Sequence, residues 1–317
     1  MVYRLTHRSS SGGDPVKRPS TRRRRLQRRT VAGLPTWFTL SNLLCGFLAI
    51  FFASRPYDVE LPWQWTPLTM AATFIFLGMF FDTLDGRVAR LTGQTSELGE
   101  QLDSMADMVA FGTAPAFISI ELVGQLIGVG TPFFGSEKAD TFFGRAVLVI
   151  SGIYVACAAL RLARFNIEAH RDPSGDHLSF RGMPSPAAAG TVASFVLLHQ
   201  HFLAKREGDH WTVSTAAVAM VAIMLLVAVA MVSRLRYPHV ANRYLRGKAR
   251  FNTIKKIVII APLLVIWPQM SLAAAFAIYA LSAPAIWTWK RLAAKPPPIT
   301  HPTTSKTAPD ESEEALG

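Results

Sequence analysis

The sequence predicts an all-α protein, a polytopic transmembrane bundle of about eight spans, and three observations predict it. Half of the 317 residues are apolar, and they come in long blocks rather than at helical period, as in segments that meet lipid or one another on every face. All seven tryptophans, Trp37, Trp63, Trp65, Trp211, Trp267, Trp287 and Trp289, fall at the ends of those blocks. An indole, apolar with one donor, sits best at the headgroup level. Basic residues, finally, alternate between rich and poor connections, the signature of a fixed orientation in the bilayer.

In chain order the blocks read as spans over 37–54, 66–91, 96–121, 143–166, 184–203, 212–233, 254–267 and 270–289. The seventh is short and contains Pro262, which reads as a tilted, broken or partly re-entrant segment. Gly93 lets the chain turn between the second and third spans, which are then adjacent and antiparallel. Residues 1–30 form an Arg-rich arm, disordered or lying on the membrane surface. Residues 31–295 form one membrane domain, and 296–317, from Pro296-Pro297-Pro298 to an acidic end, a flexible tail.

The arm carries Arg22, Arg23, Arg24, Arg25, Arg28 and Arg29, and the connection between spans six and seven carries Arg234, Arg236, Arg243, Arg246, Lys248, Arg250, Lys255 and Lys256. Alternate loops offer only Arg55, then Lys138 and Arg145, then Lys205 and Arg206. This places both termini on the cytoplasmic side of the inner membrane. The net charge of +12 then reads as topology plus attraction to anionic lipid, about 1 kcal/mol per basic residue near the surface, and not as nucleic-acid binding. Cys45 and Cys157 lie inside apolar spans with no C-x-x-C pattern and read as packing residues. The first apolar run reads as a retained span rather than a cleaved signal. The histidines are scattered and form no ligand pair.

The chemistry concentrates in one run, Asp82-Thr-Leu-Asp85-Gly86-Arg87-Val-Ala89-Arg90, followed by Gly99, Asp103 and Asp107: four aspartates within 26 residues, flanked by apolar sequence. A carboxylate in a bilayer costs roughly 2.5–3.5 kcal/mol on insertion scales. On a helix, Asp82, Asp85, Gly86 and Ala89 share one face, and on the next helix Ser96, Gly99, Asp103 and Asp107 share another. Brought together, the faces make an oxygen-rich cluster suited to Mg²⁺ or Mn²⁺, one or two ions, with coordination completed by substrate phosphates. Gly86, Ala89 and Gly99 leave room for a bulky phosphate ligand, and Arg90 can pair with it. The run reads as a metal-assisted phosphoryl-transfer site at a membrane surface.

The same run resembles, position for position, the signature of the CDP-alcohol phosphatidyltransferase family, D-x2-D-G-x2-A-R-x8-G-x3-D-x3-D. The resemblance implies transfer of a phosphatidyl group from CDP-diacylglycerol to an alcohol with release of CMP. It also implies that Asp82, Asp85, Asp103 and Asp107 hold the metal, that Asp107 is the general base, and that Gly86, Arg90 and Ser96 contact the CDP part of the donor. A homodimer is implied as well. Looser stretches, Leu34-Pro35 through Gly46, Phe111 to Ala116, Leu160 to Asn166 and Arg181 to Gly190, resemble the branch of the family whose acceptor is L-serine, giving phosphatidylserine. Inositol phosphate or glycerol 3-phosphate is the alternative acceptor.

Within those stretches two readings stand for each polar residue. Arg161 and Arg164 either snorkel to headgroups or pair with the carboxylate of serine or a donor phosphate. Asn166 either ends a helix or contacts the acceptor, and Asn42 either bonds a neighbouring helix or binds the nucleotide. From a different class, an ion-coupled transporter would also place aspartates in a membrane. The position of the cluster at span ends, beside glycines and Arg90, argues against it.

Overall fold

A computed structural model describes residues 34–57, 59, 61, 65–92, 97–129, 133–134, 136–171, 179–203, 210–238 and 266–293. Helices carry the fold: α1 (Leu34–Ala53), α2 (Pro67–Thr92), α3 (Glu97–Asp107), α4 (Ala114–Leu126), α5 (Phe142–Arg171), α6 (Ser185–Leu198), α7 (His210–Val232) and α8 (Pro268–Ala293). Among the described residues, six stretches are long and apolar enough to cross a membrane: Thr36–Ala53, Pro67–Val88, Glu97–Leu126, Phe142–Glu168, Val213–Val232 and Pro268–Trp289. The chain is therefore an integral membrane protein by the length and composition of its helices.

The expected seventh span lies outside the described residues except for Ile266 and Trp267, as do the N-terminal arm, the tail and the Gly93 turn. The third span begins where expected but runs on to Leu126, because a π turn, Met108–Thr113, joins α3 to α4 without a break. The fifth is shorter as an α-helix than the apolar run predicts, since a second π turn, His199–Leu203, takes over at its end.

The third span is central. Almost every residue of α4 is buried, and α1, α2, α5, α6 and α7 pack around it. Small side chains permit this closeness: Ala49, Ala53, Ala71, Ala72, Ala110 and Ala114 are fully buried, as expected where lipid gives helices no hydrophobic reason to associate and close packing must do so. Outward, Leu44, Phe47, Phe80, Val149, Val218, Val229 and Ile278 stay exposed and form an apolar belt.

A short antiparallel ribbon, β1 (Ser179–Arg181) with β2 (Arg236–Pro238), pairs Phe180 with Tyr237. It ties the entry of α6 to the exit of α7, with Gly182 N–H donating to Leu235 O at 2.8 Å and Met183 N–H to Ala230 O at 3.0 Å. Gly182 has φ +84°, and a Cβ there would lie 2.3 Å from Met231 O, so only glycine fits this turn. Tyr237, fully buried, reaches Ala280 O of α8 at 3.3 Å; burial raises its phenol pKa, keeping it a neutral donor. Leu198 of α6 and Met270 of α8 line one cavity further along the same α6–α8 pair, and Gly190 faces Phe276 between that cavity and the ribbon. Hence α1, α3 and α6 start, and α2, α5, α7 and α8 finish, at one end of the bundle, and the aspartates lie at that end.

Candidate active site

Asp82 sits near the end of α2, and Asp103 and Asp107 lie one turn apart on α3. Their carboxylate oxygens come within 4.8 Å of one another, all three residues half-buried. Two oxygens on opposite sides of a hard cation bonded at about 2.0–2.6 Å are about 4–5 Å apart. The donor set, oxygen only, is that of Mg²⁺, Mn²⁺ or Ca²⁺ rather than a soft metal. The cluster fits a divalent cation on spacing and on chemistry.

Asp85, the fourth carboxylate, is buried and accepts a hydrogen bond from the Thr39 hydroxyl through Oδ2. It stays close enough to Asp82 and Asp103 for their charges to interact, with Oδ1 outside the Thr39 bond. Asn42, one turn along α1 from Thr39, donates Nδ2 to Asp107 Oδ1 at 3.1 Å and is fully buried. Its own Oδ1 has no partner. A Cβ at Gly78 of α2 would stand 2.8 Å from that oxygen, so glycine there makes room for the carboxamide. Thr39 has no role of its own in the sequence pattern. The readable signal is its i, i+3 relation to Asn42, which puts both on the α1 face that meets the carboxylates.

The paired arginines of α5 part company. Arg161 turns inward: Nη1 donates to Ser185 Oγ at 3.0 Å, Nε is buried without a partner, and the guanidinium interacts electrostatically with Asp107 and Tyr279. Arg164 is exposed, with Nη1 3.5 Å from Val232 O at the end of α7, where a cation meets the free carbonyls of a helix C-terminus. Asn166 donates Nδ2 to Ser104 Oγ at 2.9 Å, bonding α5 to α3 beside Asp103. Gly86 is exposed on α2. The side chain of Arg90 and the whole of Ser96 lie outside the described residues. Tyr279 stacks obliquely on Tyr237, ring centroids 5.6 Å apart; it belongs to the eighth span, where apolar composition gave no hint of a role.

Binding of a cation here must relieve the repulsion among the three carboxylates. Metal-stripped protein in detergent should therefore unfold at a higher temperature when Mg²⁺ or Mn²⁺ is added, by about 2.7 kcal/mol of stability at a hundredfold excess over Kd. Asp103→Asn, measured in the same thermal scan, should lose most of that gain and be no less stable than wild type without metal.

A sequence model of the CDP-alcohol phosphatidyltransferase family matches residues 32–231. The chain is 35% identical to the CDP-diacylglycerol–serine O-phosphatidyltransferase of Helicobacter pylori, over 65% of this chain and 71% of that one. It is 41% identical to the protein of the same name from Saccharomyces cerevisiae, over 49% of this chain and 50% of that one. It is 29% identical to the archaetidylserine synthase of Methanothermobacter thermautotrophicus, over 65% and 70%. On the match across its membrane core, and on the aspartates gathered at one end of it, the chain belongs to the CDP-alcohol phosphatidyltransferase family.

Proposed function

We propose that this protein moves the phosphatidyl group of CDP-diacylglycerol onto the hydroxyl of L-serine, giving phosphatidylserine and CMP. One observation carries the reading: the family's carboxylate cluster meets, at Asp107, a guanidinium with an unused buried donor, Arg161 Nε. Serine brings both a hydroxyl for the carboxylate end and a carboxylate for the guanidinium. The relatives support the acceptor: their names differ in the lipid, phosphatidyl or archaetidyl, and agree on serine.

In this reading the serine oxygen bonds to the phosphatidyl phosphorus as the bond from that phosphorus to the CMP oxygen breaks. The hydroxyl proton passes to a carboxylate, and CMP leaves with the electron pair. We assign the proton to Asp107, the cluster member that interacts with Arg161. Asn42 holds Oδ1 of that side chain and fixes its direction. Asp82, Asp103 and Asp107, with Asp85 through its remaining oxygen, would hold one or two Mg²⁺ or Mn²⁺ ions, which supply Lewis-acid stabilisation of charge on the phosphates. Gly86, Arg90 and Ser96 keep the donor-binding roles that the family signature gives them. Of the acceptor candidates, Arg161 is the one we assign to the serine carboxylate, Asn166 and Arg164 being engaged with Ser104 and the α7 end.

The test is CMP release by the purified full-length protein from CDP-diacylglycerol. L-serine should be required, EDTA should abolish release, and Mg²⁺ or Mn²⁺ should restore it. Release with inositol phosphate or glycerol 3-phosphate but not serine overturns the acceptor, and no release with any alcohol overturns the reaction.

Two side chains test the division of roles. A buried charge-assisted pair is worth roughly 1.5–3 kcal/mol, so Arg161→Ala should cut kcat/KM for serine by about 10- to 150-fold, mainly through KM. Lysine at that position should rescue only part, lacking the bidentate fork. Asp107→Asn should instead depress kcat while CDP-diacylglycerol still binds. An unchanged serine KM in Arg161→Ala would move the acceptor pocket elsewhere.

We read the bundle as eight spans with both termini and the aspartates on the cytoplasmic side of the inner membrane. The support is parity: α7 finishes at the aspartate end and α8 starts at the other, and we assign the further crossing that this calls for to the apolar run 254–267. Single cysteines at Gly247 and Gly208, in a background lacking Cys45 and Cys157, should label from opposite sides, Gly247 from the cytoplasm. Labelling from one side would refute the topology.

A further inference from the structure

Asp107 is the last residue before the Met108–Thr113 π turn, in a helix that is otherwise continuous from Glu97 to Leu126. A π turn takes in an extra residue and leaves backbone carbonyls in need of partners. Without that extra residue, the helix on its N-terminal side would rotate by about 100° relative to the helix on its C-terminal side. The C-terminal part is α4, buried on nearly every side and unable to turn. The N-terminal part is α3, which carries Asp103 and Asp107. The π turn therefore sets the direction in which the two aspartates point.

Two side-chain bonds and one close backbone approach hold the turn. Tyr154 of α5, fully buried, donates its hydroxyl to Phe111 O at 2.9 Å. Thr113 Oγ1 reaches Met108 O at 3.3 Å. On the opposite side α1 comes so close at Gly46 that a Cβ there would lie 2.7 Å from Ala110 Cα. One turn nearer the aspartates, the same face of α1 presents Asn42 to Asp107. The turn is clamped between α1 and α5, and the clamp extends to the carboxylate itself.

We infer that the Met108–Thr113 π turn is the device that aims Asp103 and Asp107 at their shared site, with Tyr154 and Gly46 as its positioning residues. The inference rests on the reading of that site as a metal site. Tyr154→Phe keeps the buried ring and removes only the hydroxyl that bonds Phe111 O, a carbonyl whose α-helical partner would be Pro115 and so has no N–H there, and thereby loosens the turn. Gly46→Ala drives α1 away from Ala110 and loosens the clamp from the other side.

The experiment measures Mn²⁺ binding to full-length, detergent-solubilised protein by the electron paramagnetic resonance of free Mn²⁺, together with the Mn²⁺ concentration that half-activates CMP release. Removing an outer partner that orients a metal ligand costs about 10-fold or more in affinity. Tyr154→Phe should raise the Mn²⁺ dissociation constant and the half-activating concentration together by about 10-fold. The serine KM at saturating Mn²⁺ should move less than about twofold, and Gly46→Ala should reproduce the pattern. A Tyr154→Phe protein that unfolds at lower temperature but binds Mn²⁺ as wild type does reduces Tyr154 to packing and overturns the inference alone. Wild-type protein that binds no Mn²⁺ overturns the metal reading and this inference with it.

Discussion

The constraint on which the rest depends is like charge held close in a poor dielectric. Three carboxylates lie within 4.8 Å of one another at one end of an apolar bundle, with Asp85 close enough to join them electrostatically. At an effective dielectric of about 20, each such pair, when both are ionised, repels by about 3–4 kcal/mol, a large share of the roughly 5–15 kcal/mol by which domains are stable. Left to themselves, the ends of α2 and α3 would splay. Their neighbours oppose this with directed partners: Thr39 on Asp85, Asn42 on Asp107, and the charge of Arg161 facing Asp107. The site is thus held for a ligand that supplies the missing positive charge.

Those partners impose the close packing of α1. Thr39, Asn42 and Gly46 lie at i, i+3 and i+7, one face of a helix, and that face does three jobs at three depths. It bonds a carboxylate of α2, then one of α3, then lets backbone touch backbone at Ala110. A larger side chain at Gly46 or Gly78 would push α1 outward and withdraw both bonds. The small residues that the membrane fold needs for helix association are therefore also what bring the polar groups within reach.

Much of this was legible in the sequence. The apolar blocks marked the helices to within a few residues because a span must be continuous and long, and lipid tolerates few polar interruptions. The aspartates were legible as a converging set because i, i+3 and i+4 spacing is geometry. Three things were not. The π turn between Asp107 and Ala114 leaves no mark in an apolar window, since it changes only which carbonyl each N–H finds. Arg161 and Arg164, at i and i+3, look equivalent, yet the hydrogen bond to Ser185 and the charge of Asp107 favour one of them inward. Asp85 carries the same motif letter as its neighbours, and its bond to Thr39 depends on a helix 46 residues earlier in the chain. Each is a matter of tertiary partners rather than local pattern.

On the proposed assignment of Arg161 to the acceptor, its inward turn also separates what the site does from what it accepts. The carboxylates come from residues 82–107, a compact segment on two adjacent helices. The surroundings of Arg161 come from much further on. Ser185 opens α6, and its place is set by the Gly182 turn, which is pressed against Met231 O at the end of α7. Tyr279 comes from α8 and is backed by Tyr237 of the ribbon. A change in the ribbon or in α8 can thus reshape the space beside Arg161 without moving an aspartate, because Ser185, Tyr237 and Tyr279 stand on other elements than the aspartates do. In that reading the chemistry is set by a short segment on two adjacent helices, and the acceptor pocket is assembled beside it from α5, α6, α8 and the ribbon.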